Sequence, residues 1–156
     1  MRSQILKSIT QQLEDELDFV EKSSKAAHEA ATSEESRPEN EYDTRALEAS
    51  YLAEAQAKRA IDLKKMIHGI RSLPLVSKSK TVESGSVIEL ATEDNSIWYI
   101  ILPFGAGLSA QIQGKKVTVV TLESPLGQTL LGKNEGDVFE FLRAGTRKEF
   151  EILQVL

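Results

Sequence analysis

The sequence has no cysteine and only two histidines, His28 and His68, among its 156 residues. Disulfides and thiolate metal sites are therefore excluded, and a histidine-rich metal site is not expected. No apolar run approaches the roughly 18 residues that a membrane helix needs, and Met1–Thr10 lacks the apolar stretch of a signal peptide. We therefore expect a cytoplasmic protein with no membrane partner.

Basic residues are fewer than acidic residues. Lysine and arginine total 19 against 24 aspartates and glutamates, which gives a formal net charge of -5. A protein that grips a phosphate backbone directly needs clustered basic side chains. This balance argues against direct nucleic-acid binding, although such a chain can still act on a nucleic-acid machine by binding its protein part.

Glycine and proline are nearly absent from the first half. Before residue 72 there is one proline, Pro38, and one glycine, Gly69, whereas the later residues hold the others and four of the five phenylalanines. Such a change in composition predicts a domain boundary. We expect a helical domain over residues 1–72, a linker over 73–81 and a second domain over 82–156.

The first half predicts two long helices separated by a break near Pro38. Ser36 and Glu39 have the spacing of a capping box at the start of the second helix, and Thr32 with Glu35 offers a competing box. Each arm is about 30 residues, hence about 45 Å long. The apolar positions recur every three or four residues: Ile5, Ile9, Leu13, Leu17, Val20, Ser24, Ala27 and Ala31, then Tyr42, Ala46, Ala49, Ala53, Ala57, Ala60, Leu63, Ile67 and Ile70.

These two stripes mirror each other around the break, as an antiparallel hairpin requires. Each narrow stripe has only the other to pack against, because the second half supplies no further long helix. The alternative is that both helices belong to a compact bundle. We expect the hairpin, with an acidic tip near residues 33–43.

The second half predicts a small, strongly bent antiparallel sheet with one short helix across it. Ser124 is the expected cap of that helix, Pro125–Leu131, and Gly132 ends it. The fold class is therefore α+β. Segments rich in Val, Ile and Phe mark five strands: Ser86–Leu90, Ile97–Leu102, Lys116–Leu122, Asp137–Leu142 and Glu149–Leu156.

The acidic residues around the break are the main candidates for chemistry. A helix N-terminus attracts acids, which accounts for Glu39, but it does not account for Glu34 and Glu35. Carboxylate oxygens suit Mg²⁺, which usually takes one or two of them. An exposed tip cannot hold Mg²⁺ alone, but inside another protein's site it can complete a two-metal centre or position water. The acids are Glu29, Glu34, Glu35, Glu39, Glu41 and Asp43.

Other groups of residues give weaker evidence for a catalytic or binding site. The strand half has no histidine to activate a serine, and Gly105-Ala106-Gly107 lacks the third glycine of a dinucleotide loop. We interpret that segment as a turn, Trp98 as a core residue, and both histidines as surface or packing residues. A chaperone or prolyl isomerase is a further hypothesis, disfavoured because the half offers few aromatic residues to line a pocket.

The run Ser124–Asp137, Ser-Pro-Leu-Gly-Gln-Thr-Leu-Leu-Gly-Lys-Asn-Glu-Gly-Asp, resembles the C-terminal signature of the Gre family of bacterial transcript-cleavage factors. Glu39-Asn40-Glu41-Tyr42 is similar to the family's Glu-Asn-Ala-Glu-Tyr after the hairpin tip. Tyr51 falls where the family has an aromatic residue. The resemblance covers nearly the whole chain.

That resemblance implies a coiled-coil hairpin followed by an FKBP-like domain. It implies an accessory factor that acts as a monomer and is not itself an enzyme. The hairpin would enter the secondary channel of RNA polymerase, with indirect contact to nascent RNA, and would have no cofactor of its own beyond Mg²⁺ shared with the polymerase. The implied catalytic residues are Glu39, Glu35 and Glu34, the first two also as Mg²⁺ ligands, and the implied partner-binding residues are Arg37, Asn40, Glu41, Tyr42, Gly132, Lys133 and Asp137.

The tip departs from the family pattern, which is Asp-x-x-Glu-Asn. Glu39 matches the glutamate, but Ser36 stands where aspartate is expected, and Pro38 is inserted. Two hypotheses follow. One is a factor that stimulates cleavage of backtracked RNA, with Glu35 replacing the aspartate. The other is a non-catalytic regulator that binds the same channel.

Overall fold

The computed structural model describes residues 1–32, 39, 44–74, 80–92 and 95–156. Within those ranges the chain forms two long helices, a six-stranded sheet and one short helix. This confirms the predicted α+β class. The elements are α1 (Arg2–Thr32), α2 (Arg45–Arg71), β1 (Val87–Ala91), β2 (Ser96–Leu102), β3 (Ser109–Ile112), β4 (Lys115–Thr121), α3 (Pro125–Leu130), β5 (Val138–Arg143) and β6 (Thr146–Val155).

The two apolar stripes of α1 and α2 are largely buried, as their helical period requires. Leu17 and Ser24 are half-buried, and so are the three alanines at the start of the second stripe, while Ala57 is exposed. The stripe of α2 is therefore interrupted at that position. The buried members are Ile5, Ile9, Leu13, Val20 and Ala27 in α1, and Ala60, Leu63, Ile67 and Ile70 in α2.

Contacts between α1 and α2 run in antiparallel order. The hydroxyl of Ser24 donates to the carbonyl oxygen of Ala53 at 3.3 Å, and the Arg59 guanidinium lies 2.6 Å from the Glu16 carboxylate. As the position in α1 rises, the partner's position in α2 falls. The hairpin direction predicted from the mirrored stripes is confirmed.

The start of α2 differs from the sequence prediction. The helix was expected to begin near Pro38, but Glu39 lies in a bend and Thr44 is not helical, so α2 begins at Arg45. Thr44 lies immediately before this start: its hydroxyl donates to the Glu48 carboxylate at 2.7 Å, and its carbonyl accepts from the Glu48 amide. These two bonds connect Thr44 to the first turn of α2.

The sheet has the strand order β3-β4-β2-β1-β6-β5. Its pairs are antiparallel except β2 with β4, which are parallel, so the predicted all-antiparallel sheet is corrected at this pair. β3 was not predicted, because its four residues, Ser-Ala-Gln-Ile, carry one strongly β-forming side chain. The remaining five strands and the short helix are close to their predicted positions.

One face of the sheet buries a core against α3. Leu130 of α3 is fully buried, together with Ile88, Ile101 and other apolar residues of the strands. The rings of Phe139 and Phe150 stack with their centroids 5.7 Å apart. Trp98 is 5% exposed, which confirms it as a core residue.

The described residues divide into two compact units, Met1–Thr10 with Gly69–Leu156, and Gln11–His68. The first ten residues thus belong to the unit that contains the sheet. Arg2 makes two of the contacts that join this segment to the unit: its guanidinium donates to the carbonyl oxygens of Gly85 at 2.8 Å and Pro74 at 2.9 Å. The predicted domain and linker boundaries stay a prediction.

Candidate functional site

Glu39 is the tip acid that the structure describes. Its side chain is 79% exposed, and its carboxylate lies 3.4 Å from the guanidinium of Arg45, itself 59% exposed. An ion pair so open to water contributes about 0–1 kcal/mol. The Glu39 side chain is therefore accessible to a partner.

The other predicted tip residues lie outside the described part of the chain. These include Ser36, the position at which the family pattern has aspartate. They are Glu34, Glu35, Ser36, Arg37, Asn40, Glu41 and Tyr42.

The second predicted site is the loop that follows α3, residues 131–137, here called the post-helix loop. It turns at Gly132, whose φ of 77° lies in the left-handed region that glycine adopts without strain. The Gly132 amide donates to the Val82 carbonyl at 3.0 Å, and the Val82 amide donates to the Lys133 carbonyl at 2.8 Å. These reciprocal bonds attach the loop to the segment before β1.

Asp137 closes the far end of the post-helix loop. Its carboxylate accepts the Asn134 amide at 2.7 Å, and the Asn134 carbonyl accepts the Asp137 amide at 3.0 Å. The Asn134 side chain in turn accepts the Thr81 hydroxyl at 2.7 Å. Asp137 is thus a residue that shapes the loop, and its carboxylate is already engaged.

Glu135 ties the loop to Lys80, which lies just before β1. Its carboxylate lies 2.9 Å from the Lys80 ammonium and accepts a longer bond, 3.4 Å, from the Val155 amide. The hydrogen bond from Lys80, followed by that from Val155, lowers the pKa of Glu135 below its ordinary value of 4.5. Sequence reasoning missed Glu135 and Lys80 because their pairing joins positions far apart in the chain.

Lys133 presents its charge beside an aromatic ring. Its ammonium lies 5.6 Å from the centroid of Phe139, within the range of a cation–π contact. The backbone of the loop is fixed by the bonds around it, so this charge projects from an ordered platform. Such an arrangement suits recognition of another protein, since little ordering is needed on binding.

The part of the chain that contains the sheet matches a known protein family in sequence. Residues 77–156 match the family model described as "Transcription elongation factor, GreA/GreB, C-term". The match contains α3 and the whole post-helix loop. The chain belongs to the GreA/GreB family of transcription elongation factors. No curated protein sequence matches the chain.

Solved structures of GreA/GreB relatives are similar to this chain at low identity. GreA factor homolog 1 (Gfh1) of Thermus thermophilus is 19% identical, with 97% of this chain and 94% of that chain covered and a TM-score of 0.39. Gfh1 of Thermus aquaticus is 20% identical, covering 96% and 92%, with a TM-score of 0.40. The elongation factor GreA/GreB of Nitrosomonas europaea is 16% identical, covering 60% and 78%, with a TM-score of 0.39. Because these scores are low, the family assignment depends on the sequence match.

Within the described ranges, no three His, Asp or Glu side chains cluster closely enough to hold a metal ion. Glu39 alone offers two oxygens of the type that Mg²⁺ prefers, and it needs further ligands from elsewhere. In the same ranges no helix has the length and apolarity that a membrane crossing requires.

Proposed function

We propose that this protein binds RNA polymerase, inserts the hairpin of α1 and α2 into the secondary channel and stimulates cleavage of backtracked RNA. The observation that carries the proposal is the GreA/GreB match over residues 77–156. In this proposal the protein is a cytoplasmic accessory factor, and the polymerase supplies the hydrolytic site. An FKBP-like sheet domain and coiled-coil packing of the helices are the finer parts of the same proposal.

The post-helix loop is the proposed docking surface for the polymerase. Lys133 supplies a charge held near an aromatic ring, and Gly132 and Asp137 fix the loop's path. An ordered loop loses little conformational freedom on binding, which favours affinity. At the tip, the proposed polymerase contacts are Arg37, Asn40, Glu41 and Tyr42.

The tip acids are the proposed contribution to chemistry. Glu39, with Glu35 and Glu34, would supply carboxylate oxygens to Mg²⁺ shared with the polymerase active site and orient the attacking water. Bound Mg²⁺ would stabilise charge that develops on the cleaved phosphate. The exposure of Glu39, whose side chain is 79% exposed, supports this role.

A second candidate function is a channel-binding regulator that does not stimulate cleavage. The observation that favours it is Ser36, which occupies the position of the family's tip aspartate. A serine hydroxyl is a neutral and weaker ligand for Mg²⁺ than a carboxylate. The scaffold and the docking loop would be the same in both cases.

A transcript-cleavage assay separates the two candidates. Purified protein is added to stalled, backtracked elongation complexes, and release of 3′ RNA fragments is measured. We expect release, and we expect Glu39→Gln and Glu35→Gln each to reduce its rate by at least about tenfold, as loss of a charge-stabilising group does. Glu54→Gln, which changes an exposed glutamate of α2, is the matched control and leaves the rate unchanged.

The outcomes are distinct. Polymerase binding without fragment release, together with inhibition of an authentic cleavage factor, would overturn the cleavage proposal and support the regulator. No measurable binding to polymerase would overturn both. Lys133→Glu tests the docking surface separately: it weakens polymerase binding, whereas Lys65→Glu on α2 does not.

A further inference from the structure

β5 forms one edge of the sheet, and in the described part of the chain no strand pairs with its outer side. The strand order places β3 and β5 at the two ends. β3 has four residues, whereas β5 has six in an uninterrupted register with β6 and contains neither proline nor glycine. Short length, proline and bulges are among the features that keep an edge from pairing further. β5 lacks all three.

The hydrogen-bond pattern shows which backbone groups of β5 are directed outward. The Ile152 amide donates to the Asp137 carbonyl at 2.9 Å, so residue 137 occupies a hydrogen-bonded position of the ladder. Such positions alternate along an antiparallel pair. The continuous register therefore directs the N–H and C=O groups of Val138, Glu140 and Leu142 away from β6. These three residues are here called the edge residues.

The edge residues also share one face of the sheet. Phe139 pairs with Phe150, and both are buried in the core on the other face. Because successive side chains of a strand alternate between faces, Val138, Glu140 and Leu142 lie opposite that core. Val138 is 54% exposed and Leu142 is 61% exposed. Two exposed apolar side chains thus accompany backbone groups that are available for pairing.

The charge beside the edge is negative. Register places Glu149 and Glu151 of β6 on the same face as the edge residue Glu140. One base is on this part of the face, Arg147, whose guanidinium lies 3.6 Å from the Glu140 carboxylate. Three glutamates and one arginine give a local formal charge of -2. An approaching strand with positive charge is therefore favoured over a neutral or acidic one.

A second copy of this chain fits the edge poorly. If two β5 strands paired antiparallel over all three edge residues, Val138 would lie opposite Leu142, and Glu140 would lie opposite the same glutamate of the other copy. Like charges directly opposite each other destabilise a sheet. The charge of the edge thus indicates a different protein as its partner.

We propose that β5 binds an extended, basic segment of another protein, which adds a seventh strand to the six-stranded sheet. The segment lies antiparallel to β5, the more stable arrangement per residue. It places a lysine or arginine opposite Glu140 and apolar residues opposite Val138 and Leu142. In this kind of recognition, main-chain hydrogen bonds supply affinity and alternate side chains supply specificity. The site uses neither the hairpin tip nor the post-helix loop.

A blocked peptide, acetyl-Thr-Val-Thr-Lys-Thr-Val-Thr-amide, is the probe. It is titrated into the full-length protein labelled with ¹⁵N, and amide shifts and hydrogen exchange are measured by NMR. We expect saturable shifts centred on Val138, Glu140 and Leu142. Their amides exchange faster than that of Phe141 in the free protein, because the Phe141 amide is directed at β6. Exchange at the three edge residues slows when the peptide binds.

Two altered peptides separate strand pairing from attraction of charge. N-methylation of both valines and the lysine removes the donors that face β5 but retains every side chain and the charge. This change weakens binding about tenfold or more, since each lost hydrogen bond costs about 0.5–1.5 kcal/mol. Glutamate in place of the lysine weakens binding at least about threefold, through repulsion by Glu140.

Charge reversal on the protein locates the site. Glu140→Lys binds the lysine peptide at least about threefold more weakly and the glutamate peptide at least about threefold more tightly. Glu123→Lys makes the same change of charge at an exposed position between β4 and α3 and leaves both affinities unchanged. Circular dichroism verifies that both variants are folded.

Four results would overturn the proposal. The first is slow exchange of the edge-residue amides in the free protein, which would show that the edge is already covered. The second is no saturable binding of the lysine peptide at millimolar concentration. The third is equal binding of the original and N-methylated peptides. The fourth is a dimer in sedimentation velocity that the peptide dissociates, which would assign the edge to a second copy.

Discussion

Ser124 is a single residue that organises the start of α3. Its hydroxyl accepts the Gly127 amide at 3.1 Å and donates to the Thr121 carbonyl at 2.8 Å. The first bond satisfies an amide that the helix itself leaves unpaired, and the second attaches the helix to the end of β4. Pro125 follows at the position where a helix loses nothing by lacking an amide proton.

Replacement of this cap is expected to weaken the sheet unit. Ser124→Ala removes both bonds and lowers the free energy of unfolding by about 1–2 kcal/mol. Urea unfolding followed by Trp98 fluorescence measures the change. Gln128→Ala, on the exposed side of the same helix, is the control and changes stability by less than about 0.5 kcal/mol. Equal effects of the two substitutions would show that the cap contributes nothing of its own.

At the scale of elements, the post-helix loop is fixed by side chains from outside it. Lys80 and Thr81 precede β1, and they hold Glu135 and Asn134 respectively. A loop that is already fixed by hydrogen bonds to other segments loses less conformational entropy when it binds a partner. The low conformational freedom of the post-helix loop is the physical reason for proposing it as a docking surface.

The loop's contribution to stability depends on pH. The pKa of Glu135 is lowered in the folded state, mainly by Lys80, so its ionised form favours folding. Glu135→Gln therefore lowers stability at neutral pH. The difference from the original chain shrinks as pH falls below the ordinary value of 4.5, and it vanishes once pH passes the lowered pKa. Urea unfolding across that range measures this, with the exposed Glu123→Gln as control. A difference that stays constant with pH would contradict the assignment.

The helix pair illustrates which contacts stabilise an element. Leu63 of α2 is fully buried, whereas Leu52 of the same helix is 52% exposed. Leu63→Ala is expected to cost about 2–5 kcal/mol through lost burial and a residual cavity, and Leu52→Ala under about 1 kcal/mol. Thermal unfolding followed by circular dichroism at the helical band compares them. If the two variants melt alike, the buried stripe is not what stabilises the pair.

At the scale of the whole molecule, the sheet unit includes both ends of the helical segment. Met1–Thr10 belongs to it by contacts, and so do the residues from Gly69 onward. The two hydrogen bonds of Arg2, to Gly85 and Pro74, are among those contacts. The sheet unit is therefore built from distant parts of the chain.

This arrangement predicts that the start of the chain stabilises the sheet. A variant that lacks residues 1–10 loses the Arg2 bonds and the buried Ile5 and Ile9, so its sheet unfolds at a lower temperature. The transition is followed by Trp98 fluorescence, which reports on the sheet. Ser3→Ala, at an exposed position in the same segment, is the control. An unchanged transition in the truncated chain would contradict this view of the unit.

The sequence by itself determined the α+β class, the helix direction and most of the strands. The reason is that periodic apolar positions, caps and turn residues act locally, so they can be recognised from the sequence alone. It also indicated the family through Ser124–Asp137. Only the tertiary structure decided the parallel pairing of β2 with β4, the start of α2 at Arg45 and the membership of Met1–Thr10.

The same division holds for the candidate sites. The sequence singled out Glu39 and the residues of the post-helix loop as candidates. It did not associate Glu135 with Lys80, because this pairing joins segments that are distant along the chain. Pairing between distant segments depends on how the whole sheet closes, and no local pattern encodes it.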